Sequence, residues 1–372
     1  MATLRTIALA FATLGLWLGA APALLAQPAS PPIPAAYQPH EGDFVIRDFH
    51  FRSGESLPVL KLHYLTLGTP ARDASGAVSN AVLILHGTGG SGRQFLSPQF
   101  AGELYGPGQP LDVRRFFIIL PDDIGHGASS KPSDGLRMRF PTYGYGDMVR
   151  AEHALVTQAL GVSHLRLIMG TSMGCMHAFL WGEMWPRAMD ALMPLACLPV
   201  EIGGRNRLWR AMIVDDIESD PAWVGGRYTA EPLEGLRAAA DILAIAGSAP
   251  AQMQKSMPTG DESEAYLKTF LARVLPSLDA NDLIYQVLSS RDYDPSAGLE
   301  KIVARVMWIN SADDLINPPE LGIAQRMATR IARGRFVLLP VSDATHGHGT
   351  HTWAAAWKGY LEELLQEPAR QG

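Results

Sequence analysis

Short apolar runs alternate with helix-period segments along most of this chain, and no other feature limits its fold as much. "AVLILHG", "RRFFIILPDD", "SHLRLIMG", "DALMPLACLP", "ARVMWINSADD" and "RFVLLPVSD" are each brief, apolar and closed by glycine, proline or aspartate. Continuous apolar runs of this length suit strands buried on both faces of a parallel sheet. Among them, "DMVRAEHALVTQALGV" sets Met148, Ala151, Ala154, Leu155 and Leu160 at helical spacing. "MHAFLWGEMW", "PELGIAQRMATRIA" and "HTWAAAWKGYLEELLQ" read as further helices. The alternation predicts a mostly parallel sheet with helices on both faces. "DFVIRDFHF" and "LPVLKLHYLTLG" instead alternate residue by residue, which predicts two strands near one edge of that sheet.

Residues from about 199 to 297 break the pattern. "RNRLWRAMIVDDI", "EGLRAAADILAIAG" and "ESEAYLKTFLARVLPSL" read as helices with no strong strand among them. An all-helical insertion between two parallel strands predicts a cap over the strand ends, where ligands of such sheets bind. Trp209 and Tyr228 lie in this insertion and could shape a pocket, although cap core is their simpler role.

"GTSMGC", residues 170–175, joins the run "SHLRLIM" to the helix "MHAFLWGEMW". Gly170-Thr171-Ser172-Met173-Gly174 fits G-x-S-x-G. In that motif a sharp strand-to-helix turn projects the serine hydroxyl above the sheet, and the glycines relieve crowding. A plain Gly/Ser turn is the bland reading of so short a pattern, but the flanking strand and helix supply the context that the chemistry needs. A serine hydroxyl is a weak nucleophile, so it requires a base and a carboxylate to orient that base.

Both partners follow in the chain order Ser, Asp, His, each after a strand. "NSADDLINPP" offers Asp313 and Asp314, and "SDATHGHGTHTW" offers His346, His348 and His351. For the developing oxyanion, the donors would be the backbone N–H groups of Met173, next after the serine, and of Thr88, in the loop "HGTGG" after "AVLIL".

Two rival chemistries share these segments. Gly87-x-Gly89-x-x-Gly92 matches a dinucleotide-binding fingerprint, but it follows the third strand, and no acidic residue closes a strand about twenty positions on. His346, His348 and His351 form H-x-H-x-x-H, which is not the helical H-E-x-x-H zinc spacing and has no carboxylate following in the loop. The expectation is therefore no metal and no cofactor. The chain has a net charge of −6 and no basic block, which gives no footprint for nucleic acid. The expected partner is a small ester or acyl substrate; a homodimer is left open.

The chain opens on "MATLRTIALAFATLGLWLGAAPALLAQ": one charge at Arg5, an apolar run to about Gly19, then small residues at Ala21, Ala23 and Ala26. This predicts a secretory signal peptide over 1–26, a Pro-rich linker over 27–42 and a globular domain over 43–372. The expected location is periplasmic or secreted, with no stable membrane span after signal cleavage. Cys175 and Cys197 are the cysteines. An oxidising compartment permits a bridge between them. Cys175, on the helix after the serine, reads more simply as a free buried thiol.

From about 43 to 365 these motifs resemble the α/β-hydrolase fold, within it the homoserine O-acetyltransferase-like branch. "FPTYGYGDMVRAEHALVTQALGV" is similar to that branch's F-P-x-x-x-x-x-D-M-V-R-A segment, "GTSMGCMHAFLWGEMWP" to its G-G-S-M-G-G-M-Q-A-L-E-W, and "DDLINPPE" to its D-x-L-F-P-P. "SDPAWVGGRY" recurs at a similar spacing. The resemblance implies Asp313 as the acid and, from the Gly-His pair before the last helix, His348 as the base. The sequence departs from the branch at "HGTGG", at "GCMH" and at "ILAIAGSAP", which replaces M-I-G-x-x-T-Y. Together the residues predict an exported serine esterase that cleaves a small acyl ester through Ser172, Asp313 and His348, with homoserine O-acetyltransferase-like acyl transfer as the alternative and a dinucleotide-binding oxidoreductase or a catalytically dead binding module as remoter ones.

Overall fold

The computed structural model describes residues 38–366. The expected signal peptide, and all of the linker before residue 38, lie outside the described residues. Eight strands form one sheet in the order β1-β2-β4-β3-β5-β6-β7-β8. They are β1 (His40–His50), β2 (Ser56–Leu67), β3 (Ala81–Leu85), β4 (Phe117–Pro121), β5 (Leu167–Thr171), β6 (Ala191–Leu195), β7 (Arg305–Ser311) and β8 (Gly334–Leu339). β1 pairs antiparallel with β2, and β2 antiparallel with β4; every pairing from β4 to β8 is parallel. The two alternating segments thus form the antiparallel edge that their patterning predicts. β1 starts earlier than expected: His40 pairs with Thr66, so residues 40–42 belong to the sheet and not to the linker.

Period-two side-chain alternation divides the core into two layers. Leu83, Leu85, Ile119, Ile168 and Leu192 face one layer, covered by α2 (Tyr145–Ala154) and α3 (Met173–Met184). Val82, Ile84, Ile118, Leu167 and Met169 face the other, with Phe100 and Leu104 of α1 (Pro98–Leu104) and Leu361 and Leu364 of α10 (Lys358–Gln366). Every residue of β3, β4, β5, β6 and β7 is buried. This is why those runs read as continuously apolar: both faces are covered.

Between β6 and β7 lie α4 (Gly204–Ser219), α5 (Leu233–Ala246), α6 (Pro250–Ser256), α7 (Gly260–Val274) and α8 (Ala280–Leu288), with no strand. α4, α5 and α8 pack around their own core of Trp209, Ile213, Ile217, Leu236, Ile284 and Val287. Two late helices are shorter than the periodicity predicts. α9 spans only Ile323–Ala328, behind a 3₁₀ turn at Pro319–Leu321, and α10 starts only at Lys358, after 3₁₀ turns at Gly349–Thr352 and Ala354–Ala356. Gly322, at positive φ, separates the first pair, and in the second the run Ala354–Ala356 tolerates the tighter turn. No helix among the described residues is long and apolar enough to cross a membrane.

Candidate active site

β5 ends at Thr171 and α3 begins at Met173, so Ser172 alone makes the turn. Its backbone sits at φ 55°, ψ −108°, outside the ordinary wells for a residue with a side chain. Such a conformation costs about 1–3 kcal/mol and persists only where the surroundings over-determine it. Here the Ser172 N–H donates to Leu195 O of β6 at 2.9 Å, and the Gly174 N–H to His86 O after β3 at 2.9 Å. The flanking glycines are required by space. A Cβ on Gly170 would lie 1.9 Å from Gly174 O, and one on Gly174 would lie 2.2 Å from Leu85 O.

The Ser172 hydroxyl lies 2.8 Å from His348 Nε2. His348 Nδ1 lies 2.9 Å from a carboxylate oxygen, and that oxygen belongs to Asp314. The expectation of Asp313 is thereby corrected. Beyond β7 the chain turns, with the Asp314 N–H donating to Ser311 O at 3.2 Å, and the turn carries Asp314 inward. Asp313 accepts instead from Gly347 N–H, at 3.1 Å, and from the Ser311 hydroxyl. It braces the backbone of the histidine loop and does not touch the imidazole bonded to the serine.

Asp314 is well held. Oδ1 accepts from Ile316 N–H at 2.8 Å and Asn317 N–H at 3.2 Å, and Oδ2 also accepts from Asn317 Nδ2 at 2.9 Å. Burial pushes this carboxyl upward, but the His348 ring beside it and the hydrogen bonds from His348, Asn317 and Ile316 outweigh burial and hold it below its ordinary value. An ionised carboxylate only accepts, so His348 Nδ1 carries its proton and Nε2 presents a lone pair to the serine hydroxyl.

The two other histidines do other work. His346 stacks on Trp353, ring centroids 4.0 Å apart. His351 is half-buried and edge-on to His348 at 5.2 Å; desolvation first, then the neighbouring imidazole, pushes it down to about 3, so it stays neutral. The three do not gather as metal ligands.

Ser172 and His348 open onto a cavity of about 790 Å³, which Thr88 and Gln94 also line. The loop that follows β3 runs close to the serine: a Cβ on Gly87 would sit 3.2 Å from Ser172 Cβ. Thr88 is therefore at the mouth of the site, and the Met173 N–H is the first of α3, ahead of any intrahelical acceptor. The cap supplies the opposite wall, including Trp209, Arg210, Leu243 and Gln286. Tyr228 is not on it; its hydroxyl accepts from Asn281 N–H at 3.2 Å inside the cap.

Sequence reading missed Arg210. This guanidinium is 3% exposed, donates to Asn206 Oδ1 at 3.0 Å and Val287 O at 3.4 Å, and lies over the Trp209 ring. Among the described residues it has no carboxylate in ion-pair contact.

Cys175 and Cys197 are joined by a disulfide, Cα atoms 5.9 Å apart, which corrects the reading of a free thiol. The bridge ties the first turn of α3, three residues past Ser172, to the end of the neighbouring strand β6. Behind α3 lies a buried group, Asp123, Glu152 and His177, whose ligand-type atoms all fall within 4.8 Å of one another. His177 Nδ1 is 2.7 Å from Glu152 Oε1, and Trp181 Nε1 donates to Glu152 Oε2 at 2.6 Å. Burial, then mutual repulsion with Glu152, pushes Asp123 far up, and burial raises Glu152 to about 7.

A family model described as the alpha/beta hydrolase fold matches residues 80–325. A homoserine O-acetyltransferase from Moorella thermoacetica is 32% identical over 283 residues, 67% of this chain and 73% of that protein. Among solved structures, a homoserine O-acetyltransferase from Bacillus anthracis superposes with a TM-score of 0.78 at 20% identity, covering 89% of this chain and 99% of the other. An acetylester hydrolase from Corynebacterium glutamicum does so with a TM-score of 0.77 at 21% identity, covering 88% and 96%. At that identity the two structures establish the fold.

Proposed function

Because this chain belongs to the alpha/beta hydrolase fold, in its homoserine O-acetyltransferase-like branch, we propose that it is an exported acyl-transfer enzyme working through Ser172. The observation that carries this reading is the unbroken hydrogen-bond line Ser172–His348–Asp314, at 2.8 and 2.9 Å, opening onto a large cavity.

In the proposed reaction His348 Nε2 takes the hydroxyl proton as Ser172 Oγ attacks the acyl carbonyl. Asp314 keeps the ring in its tautomer and stabilises the imidazolium. The N–H groups of Met173 and Thr88 receive the oxyanion. Collapse of that intermediate expels the leaving group, protonated by His348, and leaves an ester on Ser172. The same ring then deprotonates the acceptor, which attacks the ester and frees the serine.

Acyl transfer to an alcohol is the first reading. Relatives that align over most of this chain carry acyltransferase names, and the buried guanidinium of Arg210 in the cavity wall suits an acceptor that bears a carboxylate. Hydrolysis by water is the second reading. It is favoured by the segment that replaces M-I-G-x-x-T-Y: Leu243, Ala246 and Gly247 make that part of the wall apolar. The test is to supply a p-nitrophenyl ester alone, then with homoserine or another hydroxy acid, and to assay the products. A new ester formed at the expense of free acid supports transfer; free acid at every acceptor concentration supports hydrolysis. A parallel assay with acetyl-CoA identifies the donor class.

Export, as the opening segment predicts, also belongs to this proposal. The Cys175–Cys197 bridge supports it, because such bridges persist in oxidising compartments. Fractionation of expressing cells tests it, with the protein expected outside the cytoplasm and shortened near Ala23 or Ala26.

A further inference from the structure

A second cavity, of about 490 Å³, lies next to the one that holds Ser172. The two share two lining residues, Met176 and Ile316. Both are anchored to the reacting groups. Met176 is one helical turn beyond Ser172, its N–H donating to Ser172 O at 3.2 Å, and its side chain is buried. Ile316 stands two residues beyond Asp314, its N–H donating to Asp314 Oδ1 at 2.8 Å. The partition between the cavities is therefore a single layer formed by two apolar side chains, each facing both cavities, and it stands beside Ser172.

The far side of the partition is built for hydrocarbon. Leu198, Val200 and Ile202, from the segment after β6, face Leu321 and Ile323, from the segment after β7. Glu201, Arg205 and Glu320 also line this cavity, and all three are exposed, so the charge lies on its solvent-facing side. Arg205 donates to Leu315 O and so ties the start of α4 to the loop that carries Ile316.

We propose that this second cavity is an acyl-chain subsite, and that Met176 and Ile316 form the gate that sets how long an acyl group the enzyme accepts. The inference rests on the reading of Ser172 as the acylated residue. A short acyl group fits on the near side of the gate. A longer one that runs along α3 meets Met176, whose unbranched thioether has several rotamers and yields to admit it to the second cavity. Ile316 is stiffer at its branched Cβ, so it fixes one jamb while Met176 is the side that moves.

The test compares kcat/KM for p-nitrophenyl acetate, butyrate and octanoate in the wild type, Met176→Ala, Ile316→Ala and Met176→Leu. Each methylene that gains an apolar wall improves binding about fourfold. The octanoate-to-acetate ratio is thus expected to rise at least about tenfold in Met176→Ala and in Ile316→Ala, and far less in Met176→Leu, which keeps the volume. Ile316→Ala is the independent arm should truncation within α3 impair folding. Each protein is also treated with a fluorophosphonate. If Ser172 is labelled and the ratio does not rise in either truncation, the subsite is refuted while the acyl-enzyme reading stands. If wild-type Ser172 takes no label and turns over no ester, the acyl-enzyme reading fails, and the subsite with it.

Discussion

His348 Nδ1 lies 2.9 Å from Asp314 Oδ2, and the same oxygen also accepts from Asn317 Nδ2 at 2.9 Å. Asn317 in turn donates to Ala196 O at 3.0 Å, so the acid is clamped between the loops after β6 and β7. That clamp fixes the ring and, through it, the direction in which Nε2 faces Ser172.

Neighbouring aspartates should then behave very differently. Asp314→Asn removes the acceptor that fixes the tautomer, and kcat on p-nitrophenyl acetate is expected to fall about 10³–10⁴-fold. Asp313→Asn loses only bonds to Gly347 and Ser311, and a fall of less than about tenfold is expected. Steady-state rates of the two variants check the assignment; equal losses would contradict it.

The strain at Ser172 has a measurable consequence. Ser172→Ala is expected to abolish turnover and to melt close to the wild type. Ser172→Gly should be inactive too, yet more stable than Ser172→Ala by about 1 kcal/mol, because glycine tolerates φ 55° without a Cβ penalty. Urea denaturation of the two inactive variants measures the difference.

Asp123 and Glu152 make stability depend on pH in a predictable sense. Both carboxyls are raised in the folded chain, Glu152 to about 7 from 4.5. Between those values the native state binds more protons than the unfolded state, so stability falls as pH rises across that window. Asp123→Asn removes one of the two raised carboxyls, so the decline of Tm with rising pH should become shallower, while the part due to Glu152, which burial raises, is retained. Asp314 acts with the opposite sign: its lowered carboxyl stabilises the fold above the unfolded value, a contribution lost as pH falls below about 4. Melting curves across pH report both.

The Cys175–Cys197 bridge closes a separation of 22 residues. The double variant Cys175→Ala, Cys197→Ala is expected to lose about 3 kcal/mol of unfolding free energy. Denaturation of both proteins without reductant measures it, and an unchanged midpoint would argue against a bridge in the purified protein.

The sheet was legible in the sequence because strands covered on both faces leave uninterrupted apolar runs, as β3 and β5 do. The position of Ser172 was legible because the crowding at Gly170 and Gly174 admits only glycine. The choice between Asp313 and Asp314 was not, since strand alternation stops at Ser311 and a turn then decides which carboxylate points inward. Nor was the disulfide, which requires knowing that β5 and β6 are parallel neighbours and that Cys175 and Cys197 leave them on the same side. Arg210 was hidden for a different reason: its environment is assembled by Val287 and Asn206 of two cap helices, and no local pattern marks a buried cation.

The most direct test of the central claim is to map the covalent adduct that a fluorophosphonate forms with the intact protein. The expected result is a single adduct on Ser172, formed rapidly in the wild type and at least about a thousandfold more slowly in His348→Ala. An adduct on another residue, or labelling of Ser172 at the wild-type rate without the imidazole, would contradict the account.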